Sequence, residues 1–152
     1  EIIEVREKLS DLQKELVELA DADARAFEPL SRAYGLPKET EEQRLEKEKV
    51  MEQALYEASV VPLQIMETVL KTEKLLEVLG EKGSRIALSD VGVGILFARA
   101  ALEGASLNVF INTRLMKNRE RAEEMNARAD ALIEESRTVS DRIYNGVLEH
   151  IR

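Results

Sequence analysis

The stretch Ser89–Asn112, SDVGVGILFARAALEGASLNVFIN, constrains the fold of this chain more than any other. Between Val91 and Ile111 its only ionic side chains are Arg99 and Glu103, four residues apart. A helix apolar on nearly every side is expected at the centre of a helical protein. At helical spacing, Asp90, Gly94, Phe97, Ala101, Gly104, Asn108 and Asn112 form one stripe of small or polar residues. Such a stripe lets another helix approach closely, or lets a flat ligand lie against it. A membrane span is the poorer reading: Arg99, Glu103 and Asn108 interrupt the apolar run of about 20 residues that a bilayer requires.

The flanking segments are helical too. From the first residues, Ile2, Val5, Leu9, Leu12, Leu16, Leu19, Asp23, Ala26 and Leu30 alternate in steps of three and four. Every member of this seam is apolar except Asp23. A carboxylate on an inward seam requires a partner or stays protonated unless it is a site, and the spacing leaves those readings open. Asp21, two positions earlier, lies off the seam and reads as a solvated acid. The first helix should end near Tyr34, with Gly35 as a left-handed cap and Pro37 blocking continuation. Lys38 falls in this turn, where a lysine is ordinarily solvent decoration.

Thr40 and Gln43 have the spacing of a capping box for a second helix running from about Glu41 toward Leu79. Its buried side is expected to carry Met51, Leu55, Ala58, Ile65, Val69, Leu76 and Leu79, with Pro62 bending it. Gly80 and Gly83 close a turn, and Ser89 is the expected N-cap of the apolar helix. After Asn112, the segment TRLMKNRER concentrates Arg114, Lys117, Arg119 and Arg121, as ordinary surface charge or as an anion tether. A last helix follows, with Ala122, Met125, Ala129, Leu132, Ser136, Val139, Ile143 and Val147 as its core stripe. These 152 residues therefore read as one all-α domain, an up-and-down bundle of long helices. Because the chain opens without Met and already inside a helical pattern, an N-terminal element is expected to be missing from this sequence.

Charge and composition remove several functions. A net charge of −8 argues against a nucleic-acid binder, which requires a basic face. The absence of cysteine excludes disulfides and thiolate chemistry and agrees with a reducing cytoplasm. The single histidine, His150, lacks the Glu-x-x-His spacing of a di-iron bundle, so no metal is expected. No phosphate-cradling glycine loop is present. Carboxylate, amide and lysine chemistry remains, from Asp23, Asp90, Asn108, Asn112 and Lys38. Asp90 and Asn108 are about 27 Å apart along a straight helix and cannot touch one atom from one chain.

Four segments carry a resemblance that periodicity does not. DADARAFEPLSRAYGLPKET, VPL at Val61–Leu63, SDVGVG at Ser89–Gly94 and LNVFIN at Leu107–Asn112 occur in an order and at separations that resemble the cyclodeaminase/cyclohydrolase family. That family comprises the C-terminal domain of formiminotransferase-cyclodeaminase and free-standing methenyltetrahydrofolate cyclohydrolases. The resemblance implies an all-helical, usually dimeric cytoplasmic enzyme acting on the one-carbon unit of tetrahydrofolate. It implies no cofactor beyond that carrier, no metal, and neither a nucleic-acid nor a membrane partner. The positions matching its motifs are Asp21, Asp23, Phe27, Pro37, Lys38, Ser89, Asp90, Asn108 and Asn112. The Gly-rich turn and helix that precede this region in the family are absent from this sequence.

On that resemblance, Asp23 is expected as the base that activates water, with Lys38 as proton donor or electrostatic partner. Asp21, Ser89, Asp90, Asn108 and Asn112 are expected to bind and orient substrate. The expected reaction is hydrolysis of 5,10-methenyltetrahydrofolate to the 10-formyl product. The alternatives are ammonia release from 5-formiminotetrahydrofolate, and a non-catalytic helical dimerisation module.

Overall fold

The computed structural model describes residues 1–152 and is all-α. Helix α1 spans Ile2–Tyr34, α2 Glu41–Lys82, α3 Leu88–Thr113 and α4 Arg119–Ile151; a single 3-10 turn, Arg85–Ala87, leads into α3. The capping box expected at Thr40 is present: Thr40 accepts from the Gln43 N–H at 3.2 Å, and the Gln43 side chain accepts from the Thr40 N–H.

Two caps differ from expectation. Gly35 is right-handed, at φ −81° and ψ −6°, because Lys47 reaches across from α2 and donates to the carbonyls of Tyr34 (2.7 Å) and Leu36 (2.9 Å). With those acceptors satisfied, a left-handed cap is not required. Ser89 does not cap α3. Ser84 instead accepts from the Ile86 N–H and starts the 3-10 turn, so Ser89 lies inside the first helical turn.

Cross-helix contacts fix the directions. Thr68 on α2 donates to Glu15 on α1 at 2.8 Å, and Lys82 pairs with Glu1, so the two helices are antiparallel. Glu103 on α3 receives Arg137 of α4 at 2.9 Å, while Asp141 receives Arg99 at 2.7 Å, so α3 and α4 are also antiparallel. Arg99 and Glu103, the two ionic residues within the apolar stretch, thus serve the α3–α4 junction. At the far end, Glu52 of α2 accepts from the N–H groups of Lys117 (2.7 Å) and Asn118 (3.1 Å), a carboxylate at the positive end of α4.

The hub of the bundle is α2, not α3. Only α2 touches all three other helices; α1 packs on α2 alone and reaches neither α3 nor α4. The larger core cluster joins Leu30 and Ala33 of α1 to Leu55, Met66 and Val69 of α2, Leu102 and Val109 of α3, and Ala129 and Leu132 of α4. A second cluster, Val91, Ile95, Val139, Ile143 and Val147, closes the other end of the α3–α4 pair. Because α1 leaves α3 uncovered, α3 keeps an open apolar face. Phe97 is 73% exposed, Leu107 67% and Ile111 62%. An all-round apolar helix was expected to be enclosed; here its apolarity exceeds what its own chain covers.

Candidate functional site: the cleft between α1 and α3

Since α1 and α3 both lie on α2 without touching each other, a cleft runs between them with α2 as its floor. Toward the C-terminal ends of α1 and α3 it holds a cavity of about 400 Å³, a size suited to a small-molecule ligand. Tyr34 and Lys38 bound it on one side, Met51 and Leu55 on the floor, and Leu115 and Lys117 on the other side, with Arg44 and Lys47 also at its wall. Lys47 is committed to capping α1, and Lys117 pairs with Glu48 at 2.7 Å. Lys38 and Arg44 form no ion pair within the chain.

The tether expected after Asn112 is largely consumed by the structure. Arg119 donates to the carbonyls of Thr113 (2.8 Å) and Met116 (3.1 Å) and pairs with Glu123; Arg121 lies over the Tyr56 ring at 3.8 Å. Of the basic residues of this segment only Lys117 lines the cavity.

Asp23 occupies the seam as expected and is half-buried on α1, whereas Asp21 is exposed. Burial alone raises the Asp23 pKa, and no hydrogen bond or cation offsets it. The Thr68–Glu15 and Lys47–Leu36 contacts set a register in which Asp23 stands level with Val60 of α2. Asn112 reaches the same turn of α2 from the α3 side. Its Nδ2 donates at 3.1 Å to the Ala58 carbonyl, the acceptor left without a helical partner because Pro62 has no N–H. Asn112 is therefore already occupied, as the polar group that makes a buried proline tolerable in α2.

This pairing predicts a coupled effect. Asn112→Ala should lower unfolding free energy by about 1–2 kcal/mol, the cost of an orphaned buried carbonyl. The same change in a Pro62→Ala background should have almost no effect, because the restored N–H takes the carbonyl. Urea denaturation of the four proteins measures this; an equal loss in both backgrounds would show that Asn112 does something else.

The other candidates are dispersed. Asn108 is exposed on α3. Ser89 and Asp90 are exposed on the first turn of α3, about 37 Å along that direction from Leu115 at the cavity. Asp23 and Tyr34 are separated by roughly 16 Å of helix, and Asp23 does not line the Lys38 cavity. One chain places Asp23 and Asn112 at a similar level along α2 and brings Lys38 and Arg44 together around the cavity, but keeps Ser89 and Asp90 at the far end of α3.

With this geometry established, similarity to known proteins is decisive. The profile of the formiminotransferase-cyclodeaminase family matches residues 1–131. The chain belongs to the formiminotransferase-cyclodeaminase family. It is 35% identical over 144 residues to a methenyltetrahydrofolate cyclohydrolase of Methylorubrum extorquens, covering 95% of this chain and 69% of that protein. It is 35% identical over 124 residues to the formimidoyltransferase-cyclodeaminase of Mus musculus, covering 82% of this chain and 23% of that one. The fold matches the crystal structure of a formiminotetrahydrofolate cyclodeaminase from Thermotoga maritima with a TM-score of 0.71 at 24% identity, over 93% of this chain and 65% of the other. This chain thus spans about two thirds of the bacterial proteins it resembles and under a quarter of the mouse one.

Within this family member, one buried acid went unnoticed in the sequence. Glu73 of α2 is 0% exposed between α3 and α4; Ser136 donates to its Oε1 at 2.8 Å, and its Oε2 has no partner. Burial pushes its pKa up to about 7, opposed by the Ser136 hydrogen bond and by Arg99. The signal was present: Met66, Val69, Glu73 and Leu76 continue the three-four alternation of the buried side. In a segment crowded with exposed glutamates, that acid is easily read as one more solvated charge.

Proposed function

We propose that this protein is a methenyltetrahydrofolate cyclohydrolase of the family. The observation that carries this reading is the 35% identity to a protein of that name across 95% of the chain. The half-buried, partnerless Asp23 agrees with it. In the reaction, water adds to the amidinium carbon between N5 and N10 while a carboxylate takes the water's proton. The C–N5 bond of the resulting carbinolamine then breaks, N5 leaves as the amine, and the formyl group stays on N10; one proton is released overall. Asp23 is the base, aided by a raised pKa that makes it a stronger proton acceptor. Asp21 and Asn108 orient the pterin end.

Lys38 is the electrostatic partner of the ligand's anionic end, together with Arg44. An extended folate suits this division, since its reactive ring and its glutamate carboxylates lie at opposite ends. The reading includes a homodimer and a cytoplasmic enzyme that uses no cofactor beyond its folate carrier. The second reading is cyclodeaminase, favoured by the likeness to formimidoyltransferase-cyclodeaminase over 82% of the chain. Parallel assays with 5,10-methenyltetrahydrofolate and 5-formiminotetrahydrofolate distinguish them. Methenyl hydrolysis without ammonia release is the expected result, faster ammonia release selects the second reading, and turnover of neither substrate leaves a non-catalytic helical module.

A further inference from the structure

The walls of the Lys38 cavity are two turns that a single stretch of α2 holds in place. At about 100° per residue, Gln43 and Lys47 share one flank of α2, and Glu48 and Glu52 share another. Met51 and Leu55, the cavity floor, fall between the two flanks, as does Arg44. The first flank grips the turn after α1. Lys47 donates to the Leu36 carbonyl at 2.9 Å, and the Gln43 side chain accepts from the Glu39 N–H at 3.0 Å. Only Pro37 and Lys38 lie between those two held groups, and proline fixes its own φ. An exposed lysine is thereby carried on backbone that has little freedom.

The second flank grips the turn before α4. Glu52 accepts from the Lys117 N–H at 2.7 Å and the Asn118 N–H at 3.1 Å, and Glu48 pairs with the Lys117 ammonium at 2.7 Å. The charges suit the helix ends they meet: cationic Lys47 at the carbonyls that close α1, anionic Glu52 at the N–H groups that open α4. Capping alone leaves one feature unexplained. In a chain with 30 acidic residues, Lys38 and Arg44 stay without an ion pair at the cavity wall. Order already present around such cations in the free protein need not be created when a ligand binds.

We propose that α2 works as a bracket for ligand binding: Gln43 and Lys47 are positioning residues for Lys38, and Glu48 and Glu52 for the facing wall at Lys117. Together they set the width across which Lys38 and Arg44 hold an anionic group. That this group belongs to a folate rests on the reading above, whereas the bracket rests on the contacts themselves.

Glu52→Ala tests the bracket by the sign of its effect. Removing a negative charge from the wall of an anion site should, by charge alone, lower KM for 5,10-methenyltetrahydrofolate. Loss of a positioning residue should instead raise it by about 3- to 10-fold, the cost of ordering freed groups on binding. A KM that falls or stays level overturns the bracket. Lys47→Met keeps the aliphatic stem and loses the donors. It should raise KM by a similar factor in the wild type and hardly at all in Lys38→Ala, where the group it positions is gone. An equal rise in both backgrounds makes Lys47 a separate charge and overturns its positioning role. Each variant is assayed below its melting temperature, so that loss of fold is not read as loss of binding.

A further readout needs no folate. In Lys47→Met, the Gly35 and Leu36 amides, which donate to the carbonyls of Arg32 and Ala33, should exchange hydrogen about tenfold faster than in wild type. Unchanged exchange overturns the bracket. A wild-type protein without folate turnover removes the folate reading, and the exchange rates then decide the bracket alone.

Discussion

Asp23→Asn is expected to lower kcat for methenyl hydrolysis by about 10²- to 10⁴-fold, the range for loss of a positioned general base. The melting temperature should stay level or rise slightly at neutral pH. Ionised Asp23 is half-buried without a partner, and burial raises its pKa, so the folded state gains nothing from its charge. Asparagine removes that charge while keeping the shape. A structural aspartate would respond in the opposite way, with little change in rate and a clear loss in melting temperature. Steady-state kinetics and thermal denaturation of the same preparation decide between the two, and a variant that retains the wild-type rate would remove Asp23 from the mechanism.

The other large effect concerns Glu73 and pH. Its folded pKa of about 7 lies above the ordinary value of 4.5, so the folded protein holds a proton that the unfolded chain releases. The stability associated with protonated Glu73 is therefore full below about pH 4.5 and is lost as pH rises through about 7. At 1.36 kcal/mol per pKa unit the loss reaches roughly 3 kcal/mol. Glu73→Gln keeps the shape and cannot ionise. It should melt several degrees above wild type at pH 8, since about 1 kcal/mol shifts a domain of this size by about 2–4 °C. Near pH 4.5 the two proteins should melt alike. Melting curves at both pH values measure this; a gap as large at pH 4.5 as at pH 8 would show that the amide acts through packing rather than through the missing charge.

Much of the fold is legible in the sequence. Four helices, the Thr40–Gln43 capping box and the seam that carries Asp23 follow from three-four periodicity and capping, and both depend on residues close in sequence. The four motifs identified the family, which residues 1–131 then matched. What the sequence could not supply is which helix covers which. An apolar helix states that it must be covered, but not by what, and α3 is covered on one side by α2 and α4 and on the other by nothing in its own chain. Likewise Asn112 looked like a free amide, because its partner, the Ala58 carbonyl, lies 54 residues earlier and is free only on account of Pro62.

Local order determined the helices, the seam position of Asp23 and the kinship of this chain, since turn chemistry and periodicity act within a few residues. Only the tertiary structure decided that α2 is the hub, that α1 and α3 leave a cleft over it, and that Glu73 is sealed among three helices. Those facts depend on contacts between different helices, such as Glu73 with Ser136, 63 residues apart, where many pairings satisfy the same pattern and packing selects one.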